Sequence, residues 1–425
     1  MRILFVSNLF PPYSRGGYEQ WCEEVAVNLV ARGHTLAVLT SRTGLATRNG
    51  APGRQDSDQD RPFVVHRTLH TEVEGGMAHT ALRLLRAPQR FDRENLAITK
   101  DLLDSFRPDA VLIWGMWNIA RCVAQLIERQ AGSSVAYYFC DYWPSLPSAY
   151  VQRLQEPARR GNMQQVKSLV GRYFLPRLIT TEPVSLRLEH PLCVSRAVRD
   201  ILVRRGVEVS HAQIIYGGTS VEEFSGSTDL HSRAGGPLRL LYMGRLERMK
   251  GVHTVLHAMH LIGNAPPVTL DILGSGDADY VAELHALTAA GALQERVHFL
   301  GVVQRSMVPA ILAQYDALVF SSEWEEPFAR AVLEAMAAGL PVIGTMTGGT
   351  GEILIDGETG LTYGAGDADG LAAQILRLAA DPALQQHLSE TGRRIVHQRY
   401  TLDRMVDELE SALYAIAGKP VSIPC

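Results

Sequence analysis

The chain has 425 residues, 46% of them hydrophobic and 20% charged, with a formal net charge of −4. That length holds two or three domains with full cores, and the near-neutral balance excludes a general nucleic-acid binder. The five cysteines (Cys22, Cys122, Cys140, Cys193 and Cys425) are odd in number, scattered and without a CxxC pair, which argues against a disulfide framework or a zinc site and suits a reducing cytoplasm.

In chain order, "MRILFVSNLFPPY" is apolar but short and is stopped by Pro11-Pro12, so it predicts a first buried strand rather than a signal peptide. "YEQWCEEVAVNLVARG" predicts a helix ended by Gly33, and "HTLAVLTS" the next strand. A polar, irregular stretch (Thr47 to Pro62) precedes the strands "FVVHRT", "AVLIWG" and "SVAYYFCD". Arg121 interrupts the best membrane-span candidate, "AVLIWGMWNIARCVAQLI". Further on, "RLQEPARRGNMQQVKSLVGRYFLPR" carries Arg153, Arg159, Arg160, Lys167, Arg172 and Arg177 against Glu156. Two readings are open for it: a peripheral contact with an anionic membrane or acceptor, or a solvated helical face. The aromatics Tyr137, Tyr138, Tyr142 and Trp143 are likewise either core or a platform for an acceptor.

The pattern restarts near residue 238: "LRLLYMGR" (strand), "GVHTVLHAMHLIG" (helix), then strands "VTLDILGSG", "VHFLG", "ALVFSS" and "LPVIGT" separated by helical pattern. Such alternation predicts two doubly wound α/β domains, residues 1–220 and 236–402, joined near "YGGTSVEEFSGSTDLHSRAGGP". Ligands of open parallel sheets bind beyond the carboxyl ends of the strands. Two such sheets facing each other would make a cleft.

Three stretches carry chemistry. "YMGRLERMKG" turns off a strand at Gly244 and sets Arg245 and Lys250 before a helix, which suits a diphosphate or, alternatively, is a solvated charged loop. "LGSGD" is a second glycine turn, weak by itself. "SSEWEEPFARAVLEAMAAGLPVIG" predicts a helix with Pro327 in its first turn and Gly339 and Pro341 at its end. Its Glu326 and Glu334 lie eight steps apart, roughly 12 Å if helical throughout, comparable to the separation of the two sugars of a nucleotide-diphosphate sugar. Acceptance of a diol's hydrogen bonds by each carboxylate would hold a ribose and a hexose, with the amides near Phe328 and Ala329 facing the region between. Glu323 and Glu325 are read as complements to the helix dipole.

"EPFARAVLE" together with "GRLERMKG" resembles the EX7E motif and Arg/Lys pair of the large family of retaining GT-B glycosyltransferases that includes sucrose synthase-like, mannosyl- and N-acetylglucosaminyltransferases. "FPPYSRGGYEQ" resembles that family's N-terminal glycine loop and "GGTGEILIDGETGL" the segment after the EX7E helix. The resemblance implies a GT-B fold with an acceptor-binding first domain, a donor-binding second domain and a final helix, about 403–420, that crosses back to the first. It implies that Arg245 and Lys250 bind the diphosphate and neutralise the leaving group, Glu334 holds the ribose, and Glu326 contacts the transferred sugar. Gly16 and Gly17 would present amides to the phosphates. The implied reaction is metal-independent transfer of a hexose-type sugar from a nucleotide sugar to an acceptor hydroxyl of a small molecule, lipid-linked glycan or polysaccharide. No metal or cofactor is called for, since the cation pair does the metal's work and none of the histidines, His66, His70 and His79 included, shows ligand spacing.

Four positions depart from the resembled pattern. Ala329 stands where glycine is common, Arg330 where an aliphatic residue is common, "IIYGGTSVEEF" where an Asn-Gly pair is frequent, and Cys140 where many members place a histidine before an aspartate. A thiol beside Asp141 is poorly activated, so Cys140 is read as shaping the pocket and Asp141 as orienting acceptor or sugar. Rival readings are a GT-B nucleotide-sugar 2-epimerase, a nicotinamide-dependent oxidoreductase (the first strand lacks an immediate GxGxxG) and a non-catalytic sugar-nucleotide binder.

Overall fold

Every strand of the two sheets pairs in parallel with its neighbours, the arrangement that hydrophobic runs alternating with helices require. The computed structural model describes residues 1–14, 16–43, 58, 60–75, 80, 84, 88–156, 168, 171–175, 184–224, 236–264 and 266–420. Most of the polar stretch after Thr47, the residues His79, Arg159, Arg160, Lys167 and Arg177, and residues 225–235 of the glycine-rich joint lie outside these. The chain divides into two compact units. One comprises residues 1–194, 198–215 and 406–425, the other 195–197 and 216–405.

The first unit starts with β1 (Arg2–Ser7), α1 (Gly17–Ala31), β2 (Thr35–Ser41) and β3 (Val64–Leu69). It continues with α2 (Pro88–Phe106), β4 (Ala110–Gly115), α3 (Cys122–Ala131), β5 (Val135–Phe139) and α4 (Ala149–Gln155). Then come β6 (His190–Cys193), α5 (Arg196–Arg204) and β7 (Gln213–Ile214). The sheet order is β3-β2-β1-β4-β5-β6-β7, so the order reverses between β1 and β4. β4 and β5 are buried along their whole length, as expected of strands covered on both faces. Gly33 ends α1 at φ +88, in the left-handed region that glycine enters without strain. Tyr137, Tyr138, Tyr142 and Trp143 are all 3% exposed or less. They are core, and the acceptor-platform reading falls: the ring of Tyr137 stacks on Phe139, and its hydroxyl donates to Glu128 at 2.8 Å.

The second unit holds β8 (Leu238–Met243), α6 (Val252–Ile262), β9 (Val268–Leu273), α7 (Ala278–Ala290), β10 (Val297–Gly301) and α8 (Val308–Leu312). β11 (Ala317–Phe320), α9 (Arg330–Ala337), β12 (Val342–Thr345), β13 (Leu361–Tyr363), α10 (Ala368–Ala380) and α11 (Pro382–Arg399) follow. Its sheet order is β10-β9-β8-β11-β12-β13, and the reversal falls between β8 and β11. Leu240, Ile272, Val319 and Ile343 from four of these strands join Val255, Met259 and Ile375 from α6 and α10 in one core. The final helix, α12 (Leu402–Ile416), belongs to the first unit from Val406 onward. There Val406, Leu409 and Leu413 are fully buried, and Arg32 pairs with Asp407 and Glu410 at 2.7 Å each.

Candidate active site at the switch point of the second unit

The loop after β8 is held down by backbone hydrogen bonds to the loop after β9. Gly244 N–H donates to Leu273 O at 3.0 Å and Leu246 N–H to Ser275 O at 2.9 Å. This places the backbone of "LGSGD" against the Arg245 loop. A Cβ on Gly274, whose φ is +147, would fall 1.8 Å from Gly244 O, and one on Gly276 1.8 Å from Leu246 O. The glycines of that second turn are thus required by close backbone approach. Burial, and then Glu326, push the Tyr242 hydroxyl pKa upward, so it stays protonated and donates to Arg245 O at 2.9 Å.

The same loop is joined to the one that follows β11. Glu323 N–H donates to Met249 O at 2.8 Å, and Ser321 Oγ donates to Lys250 O at 2.8 Å. Gly251, at φ +66, opens α6 where a Cβ would lie 2.1 Å from Ser321 O. This neighbouring of β8 and β11 brings the two motifs together across 76 residues: Lys250 Nζ donates to Glu326 Oε1. Ser322 Oγ donates to the same oxygen at 2.7 Å, and the Lys250 ammonium lies 5.2 Å from the centroid of the Trp324 ring. Lys250 and Glu326 side chains are 14% and 9% exposed.

The helix that carries Glu334 starts later than its sequence predicts. α9 begins at Arg330, with Ala329 as an extended N-cap that has no side-chain hydrogen bond and with no acid in the first turn. Two expectations are corrected by this. The 12 Å spacing assumed helix from Glu326 onward, whereas residues 326–329 lie outside the helix. Glu323 and Glu325 precede the helix by too many residues to complement its dipole, an effect confined to the first turn. Glu323 instead accepts from Thr254 Oγ1 at 2.8 Å. Pro327, with no helix to begin, leaves residues 326–329 to be fixed from outside. Gly349 N–H donates to Glu326 O at 2.7 Å, and Ser195 Oγ donates to Pro327 O at 2.7 Å. Phe328 is 6% exposed and packs on Tyr216 and Tyr400, centroids 5.5 and 5.6 Å away.

Glu334 is 3% exposed. Arg330 Nε donates to its Oε1 at 2.6 Å, and Arg305 Nη1 reaches the same oxygen at 2.7 Å. In both glutamates of the motif the protein's donors therefore gather on Oε1. Among the described residues no hydrogen bond reaches either Oε2. Arg245 is 41% exposed and donates to Glu247 Oε1 at 2.6 Å. It shares the loop with Lys250. The arginines on Glu334 were not foreseen as partners, although "EPFARAVLE" showed Arg330 four residues before Glu334, one turn of helix away.

The first unit has its own arrangement at the β1/β4 reversal. Gly16 N–H, expected to face a phosphate, donates to Glu19 Oε2 at 2.9 Å, so that contact requires Glu19 to release it. Gly17 is the first residue of α1. Tyr18 donates to Asn8 Oδ1 at 2.7 Å, and Asn8 N–H to Gly115 O at 2.8 Å. Asp141 accepts from Trp143 N–H at 3.0 Å. Burial raises its pKa to about 7, with Glu19 adding to the rise. Burial and then Asp141 push the Cys140 thiol well up, which removes the thiolate that a nucleophile needs.

Lys250 and Glu326 pair at the switch point, ahead of an uncapped helix start whose helix carries Glu334, and among the described residues one oxygen of each carboxylate takes no hydrogen bond. Such a set can hold an anion and hydroxyls together. Residues 230–395 match the family described as glycosyl transferases group 1. In sequence the chain is 38% identical over 414 residues to the glycogen synthase of Mycobacterium tuberculosis, spanning 95% of this chain and 91% of that one. In fold it resembles the sucrose-phosphate synthase of Thermosynechococcus elongatus (TM-score 0.71, 21% identity, 97% and 99% of the two chains) and Anabaena HepE in complex with UDP and glucose (0.69, 20%, 98% and 100%). Those two establish a GT-B architecture built of two Rossmann-like units. Similarity that runs through nearly all of a relative's length reaches beyond the fold: the chain belongs to the group 1 glycosyltransferases.

Proposed function

We propose that the enzyme transfers a hexose-type sugar from a nucleotide-diphosphate sugar to an acceptor hydroxyl, with retention of anomeric configuration and without a metal. The observation that carries this reading is the convergence of Lys250 and Glu326 at the β8/β11 reversal, where among the described residues no hydrogen bond reaches Oε2 of Glu326 or of Glu334, the oxygens this reading gives to sugar hydroxyls. On this reading Lys250 and Arg245 neutralise the diphosphate as it leaves, the term that dominates when charge develops on a leaving group. Glu334 accepts from the ribose diol and Glu326 from the transferred sugar, while the amides at Phe328 and Ala329 face the phosphates from the start of α9. The first unit takes the acceptor, with Asp141 orienting it and Gly16 and Gly17 reaching the donor's phosphates. A glycogen synthase among the relatives and the UDP and glucose bound to HepE support glucose donors and α-glucan acceptors as the first to try.

The test is incubation with UDP-, ADP- and GDP-glucose and malto-oligosaccharides in EDTA, followed by NMR of the product. An α-linked product formed at full rate in chelator is expected. A β-linkage, activity that requires Mg²⁺ or Mn²⁺, or an epimerised donor in the absence of acceptor would each overturn part of the reading.

A further inference from the structure

The two arginines on Glu334 have no counterpart in what the resembled motif requires. Arg330 replaces an aliphatic residue, is 8% exposed, and so is desolvated at a cost that packing alone would not incur. Arg305 comes from a different part of the unit, the turn Arg305–Met307 after β10, and its guanidinium lies 5.9 Å from the Phe224 centroid. Both cations nevertheless converge on Oε1 and leave Oε2 without a hydrogen bond among the described residues. The terminal torsion of a glutamate is broad and nearly two-fold, so a carboxylate held at neither oxygen has no preferred facing. Two donors on one oxygen from two directions remove that freedom.

We infer that Arg330 and Arg305 are positioning residues for the nucleoside half of the donor: they turn Glu334 Oε2 toward the ribose diol, and the enzyme's preference for ribonucleotides over 2′-deoxyribonucleotides depends on them. The inference rests on the donor reading above and goes beyond it, since a ribose-holding Glu334 alone predicts nothing about Arg330 or Arg305. The pair acts through the carboxylate and touches no reacting atom.

Isothermal titration of the full chain with UDP, ADP, GDP and their 2′-deoxy forms tests it, on wild type, Arg330→Met, Arg305→Met and Arg330→Lys. For the base that binds, wild type is expected to favour the ribonucleotide by about 10- to 100-fold, the value of a hydrogen bond to a charged group. Each methionine variant should shrink that ratio to within about threefold, chiefly by weakening the ribonucleotide, and Arg330→Lys should restore part of it. A mere strut would weaken both nucleotides alike. That result, or an unchanged ratio in the variants, overturns the inference, as does a wild type that binds diphosphates without ribose preference. Failure of every diphosphate to bind wild type would instead remove the donor reading itself. Arg305, one-third exposed, carries the test if Arg330→Met does not fold.

Discussion

Single side chains separate roles that the motif alone lumps together. Arg245 is 41% exposed and its pair with Glu247 is a surface pair, worth about 1 kcal/mol or less. Arg245→Ala should therefore leave the melting temperature nearly unchanged while cutting kcat by about 10²–10³. Lys250 is 14% exposed and its removal leaves the buried Glu326 carboxylate with Ser322 Oγ but without its counter-charge, so Lys250→Ala should lose a similar factor in rate and also about 1–3 kcal/mol of stability. Turnover surviving in both variants would remove the diphosphate assignment. Asp141 gives a pH-dependent prediction. Its pKa of about 7 in the fold lies above the unfolded value near 3.9, so the unfolded chain releases the proton first. Stability then falls as pH rises from about 4 to 7 and is flat beyond, by at most about 4 kcal/mol. Asp141→Asn abolishes that slope: thermal scans should show the variant more stable than wild type at pH 8 and equal to it near pH 4, with transfer reduced. An identical pH profile in the two proteins would contradict the burial argument.

At the scale of elements, the acidic loop before α9 owes its shape to a segment some twenty residues later. A Cβ on Gly349 would meet Pro327 O at 2.1 Å and Ser195 Oγ at 2.8 Å, and one on Gly348, at φ +53, would meet Glu326 O at 2.2 Å. Backbone atoms cannot step aside as a flexible side chain does. Gly349→Ala should therefore displace Glu326, lowering kcat/KM at least tenfold and stability by about 1–3 kcal/mol. Gly236→Ala, where among the described residues no atom lies within 4 Å, is the control and should behave as wild type. Equal activity in the two variants would show that the loop is set by something else.

On the scale of the whole molecule, the first unit is completed by the last helix. Leu409 and Leu413 of α12 are fully buried, and His34 Nε2 meets Glu410 at 2.7 Å. Leu409→Ala should cost about 2–5 kcal/mol and move the calorimetric transition of the first unit down, although the substitution lies some two hundred residues beyond that unit's sheet. A scan superimposable on wild type would count against this packing.

Much of the architecture is legible in residue order, because parallel strands buried on both faces write themselves as short apolar runs and glycines mark where helices stop. "RILFVSN", "AVLIWG" and "ALVFSS" became β1, β4 and β11, and Gly33 ended α1. β6, β7 and β13, at four, two and three residues, are too short to carry a period and emerge only from their neighbours in the sheet. The residue types of the site were readable too, from "GRLERMKG" and "EPFARAVLE". Their partners were not. Lys250 meets Glu326 because β8 and β11 are adjacent in a sheet whose order reverses there, and Arg305 reaches Glu334 from the turn that follows β10, 29 residues earlier in the chain; neither meeting has a local signal. Pro327 could be read as a helix start, yet the contacts of Gly348 and Gly349 hold residues 326–329 outside the helix. The sequence by itself determined the fold class, the strands' directions and the chemical inventory, since these follow from local periodicity and side-chain identity. Tertiary structure alone decided which oxygen of each glutamate the described donors reach, because hydrogen-bond saturation is a property of neighbours in space.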